Sequence, residues 1–185
     1  MENTKKRGAV RLTLAVLLAS FPLFFLAGCG RMKSDGDFIR KAREIMPIPD
    51  ADSAAMRYVG SVSDSSDSRI SLHWVVSGEE EEDRAFLAME CERIPPAWEY
   101  AYIRSCEADE CAKDVAVLEW GGHTVFCIGS TDVRGMRWTD ADGAEHRVSF
   151  GQIPYSAYPL LRSFEAGCAS FAFLDAEGNP LRGAE

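Results

Sequence analysis

The side chains able to do covalent or metal chemistry are few: six cysteines, three histidines, and acids crowded into short runs, spread over 185 residues. The densest segment is Cys106-Glu107-Ala108-Asp109-Glu110-Cys111. Its acids should raise the thiol pKa values, which speaks against a reactive thiolate at either end. A disulfide between Cys106 and Cys111 is the favoured reading of this loop, with two free thiols or a soft-metal site as the alternatives. His123 and Cys127 fall on one strand face, but four strand residues put them ~13 Å apart, too far for a direct Cys–His pair. His73 is expected on the polar face of its strand, and His123 and His146 beside tryptophans in hairpins. No Gly-rich phosphate loop, Gly-x-Ser-x-Gly elbow, His-Glu-x-x-His or paired Cys-x-x-Cys is present. Asp140-Ala141-Asp142-Gly143 opens like a calcium loop but lacks the third acidic position and the closing glutamate. No catalytic residue, metal site or cofactor is therefore assigned.

The N-terminus has a different character. Lys5, Lys6, Arg7 and Arg11 precede an apolar run, Leu12 to Leu26, interrupted by Thr13, Ser20 and Pro22. A positive flank and a short apolar stretch make a secretory signal. Fifteen helical residues would span about 22 Å, short of the ~30 Å hydrocarbon core. The run ends in Leu26-Ala27-Gly28-Cys29, which resembles the lipobox of bacterial lipoproteins. That resemblance implies a diacylglyceryl group on the Cys29 thiol, cleavage just before it, and a membrane as partner through the lipid. Gly30 follows Cys29, in place of the aspartate that marks inner-membrane retention in that family, and the choice of membrane stays open. The stretches Phe38–Asp52 and Val115–Gly122 resemble small bacterial lipoproteins of unassigned function, a resemblance that implies no activity.

Three parts are expected: a signal peptide over 1–28, a lipidated cysteine and polar tether over 29–36, and a single domain over 37–185. Cleavage before Cys29 leaves 157 residues, enough for one core. The full chain carries −9, and the signal holds four bases and one acid, so the remainder is −12. That balance argues against nucleic acid and against adhesion to anionic headgroups. With Cys29 lipidated, five cysteines remain, an odd number for an exported chain.

Periodicity supplies the elements. Asp37 is placed as the cap of a helix running to Met46, with Phe38, Ile39, Ala42, Ile45 and Met46 on one stripe. From Ala55 the period becomes two. Met56, Tyr58 and Val62 alternate with polar residues, and so do Ile70, Leu72, Trp74 and Val76, which predicts an antiparallel pair with a wet face. Ala85–Ile94 is a further strand. Trp98, Tyr100 and Tyr102 form an aromatic row, either core or a sugar-binding face. Gly121-Gly122 should turn a hairpin pairing Trp120 with His123, Leu118 with Val125 and Ala116 with Cys127. Apolar residues on both faces of that hairpin make it central. A second hairpin pairs Trp138 with His146 and Met136 with Val148. Tyr158–Ala166 reads as a short helix, and Cys168–Leu174 as a last strand.

The expected fold is α+β: a mostly antiparallel sheet of hairpins with an N-terminal helix packed on one face, or else a β-sandwich with helical decoration. The expected function is a binding or scaffolding domain of an anchored envelope lipoprotein, with an envelope protein or polysaccharide as partner and no nucleic acid. Its partner surface would combine the His73 face with the acidic run Glu79, Glu80, Glu81, Glu82 and Asp83. The alternatives are a lipid-anchored sugar- or metal-binding module and an envelope hydrolase without a readable motif.

Overall fold

Two-residue periodicity dictates most of the architecture. The structure, a computed structural model, describes residues 30–46, 55–78, 84–112, 114–151, 158–165 and 168–181. In chain order these form β1 (Arg31–Met32), α1 (Asp35–Ile45), β2 (Arg57–Ser63), β3 (Ile70–Ser77), β4 (Ala85–Ile94), β5 (Glu99–Cys106) and β6 (Asp109–Ala112). Then come β7 (Val115–Trp120), β8 (His123–Ile128), β9 (Gly135–Thr139), β10 (Glu145–Ser149), β11 (Leu160–Glu165) and β12 (Ser170–Leu174). The first sheet has the order β1-β5-β4-β3-β2, the second β11-β8-β7-β6 and the third β10-β9-β12. All the pairings are antiparallel. The domain is thus mostly antiparallel β with a single short helix among the described residues, as the α+β expectation has it.

Three apolar clusters show how the layers stack. The helix lays Phe38 and Ala42 on the outer face of the first sheet, against Val75, Leu87, Met89 and Cys91. The inner face of that sheet, Leu72, Trp74, Val76 and Ala88, meets Ala116, Trp120, Val125 and Cys127 of the second sheet. The far face of the second sheet, Val115, Phe126 and Ile128, meets Met136 and Phe173 of the third. The order is therefore helix, sheet, sheet, sheet, and the β7–β8 hairpin is covered on both sides. Its register is the expected one, with Trp120 opposite His123, Leu118 opposite Val125 and Ala116 opposite Cys127. Gly121 and Gly122 take φ of 57° and 78°, the left-handed turn that glycine permits. The β9–β10 register is also as expected, Trp138 facing His146 and Met136 facing Val148.

Four local expectations need correction. Residues 30–36 are no loose tether: β1 pairs with β5, Arg31 opposite Ala101 and Met32 opposite Tyr100, and Met32 is only 1% exposed. The helix starts three residues earlier than expected, with Ser34 at the cap in place of Asp37. Asp37 instead reaches back, its Oδ2 accepting the N–H groups of Lys33 (3.0 Å) and Ser34 (3.1 Å). The β2–β3 pair has no wet face along β3, because helix and second sheet enclose residues 71–77 from both sides. Finally, the predicted helix at Tyr158–Ala166 is in its described part a strand, β11, paired to β8. Leu160 and Phe164 point to one cluster and Leu161 to the other, a period of two that a short Leu-Leu-x-x-Phe pattern hides.

Candidate functional site

His73 stands at the centre of β3, under the helix. Its ring stacks on Phe38 at 4.1 Å between centroids and meets the edge of Tyr100 at 4.7 Å. Nδ1 lies 2.9 Å from the Tyr58 hydroxyl and Nε2 2.8 Å from Ser71 Oγ. A neutral ring donates from one nitrogen and accepts at the other, and either hydroxyl can answer both roles. Burial pushes the imidazole pKa down to about 4. His73 is 2% exposed, which corrects its assignment to a partner-facing surface: it fastens the helix to the sheet. The acidic residues Glu79, Glu80, Glu81, Glu82 and Asp83, named with it, lie outside the described residues, as does Cys29.

Cys106 and Cys111 are free thiols, so the expected bridge is not formed. The layering explains this. Cys106 ends β5 and points between the first and second sheets, whereas Cys111 on β6 joins the cluster on the far side of the second sheet. The chain crosses from one sheet to the next between them, and their side chains part. Burial raises both thiol pKa values, that of Cys111 to about 11. Cys91 is pushed up to about 12 by burial, and Cys127 is raised by the same cause. None has the depressed pKa of a nucleophilic cysteine.

The other sequence candidates are engaged in local structure. Asp140 Oδ1 accepts the N–H groups of Asp142 (3.0 Å) and Ala144 (2.9 Å), and its Oδ2 lies 2.7 Å from His146 Nε2. The His146 ring and these turn amides hold the Asp140 carboxyl below the usual range. This is the chemistry of a hairpin turn, built from the residues that suggested a calcium loop. His123 Nδ1 lies 3.0 Å from Ser163 Oγ, while its Nε2 is buried with no hydrogen-bond partner among the described residues. A Ser–His pair needs a third group to orient the ring, and among the described residues none meets that nitrogen. Among the described residues no group of three or more His, Cys, Asp or Glu side chains could hold a metal ion.

The aromatic row divides. Tyr100 and Tyr102 pack against the cluster beneath the helix. Trp98 stays in the turn before β5, 73% exposed, with the Arg93 guanidinium 4.9 Å above its ring. Ile103, 45% exposed, lies where a bulge shifts the β4–β5 register, so that Cys91 faces Tyr102 and Glu90 faces Arg104. Trp98 and Ile103 are the large apolar side chains left exposed among the described residues. Both flank the segment of β5 to which β1 pairs. The sequence marked Trp98 but gave no sign of Ile103, because a bulge that depends on two paired strands leaves no local trace. Arg31 and Lys33 hold Glu99 at 2.9 and 2.6 Å along the same edge. This edge, two residues beyond Cys29, is the feature of the described surface best suited to an interaction. No protein-family model matches the chain, and neither does any curated protein or solved structure.

Proposed function

We propose that the chain is a bacterial lipoprotein, cleaved before Cys29 and held to a membrane by lipid on that thiol, whose domain binds or scaffolds another envelope component. The observation that carries this reading is the apolar run from Leu12 to Leu26 ending in Leu26-Ala27-Gly28-Cys29. Two acyl chains on one cysteine give stable anchoring where a single chain does not. Binding in preference to turnover is supported by how the chemically capable residues are spent. His73 is enclosed and neutral, the thiols are raised by burial, and Asp140 and His146 serve a turn. The acidic run Glu79–Asp83 between β3 and β4 supplies charge for a basic or polar partner, an envelope protein or a polysaccharide.

The test is metabolic labelling with a fatty acid in cells making the full chain or its Cys29→Ala variant. Label on the wild type, and an unlabelled, uncut or unanchored variant, is the expected result. Label persisting on Cys29→Ala overturns the anchor. Turnover of an envelope substrate by the purified protein overturns the binding role.

A further inference from the structure

A lipid on Cys29 would fix more than location. We infer that the β1–β5 edge lies along the bilayer surface, with Trp98 and Ile103 in the headgroup region of the phospholipid. The inference rests on the anchor proposed above and adds an orientation to it. Arg31 is already hydrogen-bonded into the first sheet. Two residues of extended chain reach at most about 7 Å. The acyl chains therefore emerge within a side chain's length of β1, and the neighbouring surface has to meet the lipid.

That surface is suited to it. The exposed large apolar side chains of the described residues both belong to β5 or to the turn leading into it, the strand beside β1. The register gives them opposite ends of the edge. Met32 faces Tyr100, so Lys33 lies toward Trp98, while the chain before Arg31 runs toward Ile103. Ile103 lies five positions after Trp98, at most about 17 Å along extended chain, so the pair brackets the attachment point. Trp at the membrane interface keeps its apolar body in the headgroup layer and its N–H wet. Arg93 above the Trp98 ring, with Arg31 and Lys33 beside it, places cations at phosphate level. Glu107, Asp109 and Glu110 follow at the far end and are exposed. The edge as a whole is thus fitted to zwitterionic lipid, and the domain's net acidity does not oppose its contact.

The experiment uses the full lipidated chain reconstituted in phosphatidylcholine vesicles with brominated acyl chains, with flotation and tryptophan emission read on the same sample. Trp74 and Trp120 are buried and Trp138 is half-buried, which leaves Trp98 as the ring free to reach the lipid. The expected result is a floating protein whose emission is quenched, and a Trp98→Phe variant that floats equally but loses most of the quenching. Failure to float overturns the anchor itself. Flotation with the same quenching in wild type and Trp98→Phe overturns the orientation alone. A benzophenone side chain introduced at position 98 provides the second measurement, in native membranes. An adduct of phospholipid mass is expected there, whereas an adduct to a polypeptide assigns the edge to a protein partner and overturns the contact with lipid.

Discussion

Phe126 and Phe38 are both buried aromatic side chains at the heart of a cluster, yet they hold very different regions together. Phe126 sits on β8 between two hydrogen-bonded neighbours and meets Phe164, Phe171 and Phe173 edge-on, with centroids 5.9, 4.9 and 5.8 Å away. Phe38 sits on an isolated helix and stacks on His73 and Tyr58, rings that carry polar atoms. Around Phe126, every strand of the second sheet's centre has a ladder on each side and a sheet on each face. Around Phe38, an eleven-residue helix is held by side chains alone. Helices of that length are marginal in isolation and draw their stability from packing. The centre should therefore open only with the whole domain, and the helix-covered layer at lower free energy.

Truncating both phenylalanines tests this difference most strongly. Phe126→Ala should cost about 3–5 kcal/mol, seen as a loss of global stability in denaturant, because the surrounding sheets cannot collapse into the gap. Phe38→Ala should cost less, about 2–3 kcal/mol, because the helix can shift. It should also speed amide exchange in α1 while leaving β7 and β8 protected. Equal costs with uniform loss of protection would remove the distinction between the two regions.

Acid should act on the same boundary. His73 titrates near 6.5 when unfolded and at about 4 when folded, its pKa depressed by burial. Between those values the unfolded chain binds more protons. The contribution is thus fully present above pH 6.5 and is lost as pH falls through the window toward 4. It amounts to about 3 kcal/mol at most. A His73→Phe variant should flatten the stability slope between pH 6.5 and 5, above the range where most carboxylates titrate. An unchanged slope would mean that the ring is wetter than its packing implies.

A smaller effect is expected where the first two sheets meet. Ser65 donates from its N–H (3.3 Å) and its Oγ (2.8 Å) to the carbonyl of Gly121, tying the β2–β3 turn to the β7–β8 turn. A Cβ at Gly121 would fall 2.8 Å from Asp64 Oδ2, on backbone with φ of 57°. Gly121→Ala should cost about 1–2 kcal/mol from the left-handed conformation, measured as a lowered melting temperature. The smallest change is expected at the edge. Ile103→Ser should leave stability within about 0.5 kcal/mol, since the residue is already exposed. A large loss there would mean that the side chain packs in the domain and is not available to a membrane.

What the sequence made legible follows from the range of the signal. The two hairpins could be read residue by residue because alternation and turn chemistry fix register within a dozen residues. The burial of both hairpin faces at β7–β8 was readable too, from Val115, Val117, Phe126 and Ile128 lying opposite Ala116, Leu118, Val125 and Cys127. His73 was misplaced for the complementary reason. With Ser71 two residues before it, it looks like the polar half of an alternating strand, and only the helix, whose Phe38 comes 35 residues earlier in the chain, encloses it. Cys106 and Cys111 look like a pair in one dimension and are separated by a sheet in three. The Tyr158–Ala166 stretch offered too few residues to tell a period of two from one of 3.6.

The cysteines, set aside as unreactive, give the molecule a way of reporting its own opening. Cys91 lies under the helix, Cys106 and Cys127 in the cluster between the first and second sheets, and Cys111 and Cys168 against the cluster between the second and third. Every interior compartment thus carries its own thiol, and none is bridged to another. An alkylating reagent supplied at a fixed rate would record, in the sequence of masses gained, the order in which the compartments come apart. If the chain is exported to an oxidising envelope, as proposed, the same arrangement is a hazard. A domain that opens even once presents five unpaired sulfurs to one another, and the pairings then formed would belong to the disordered chain.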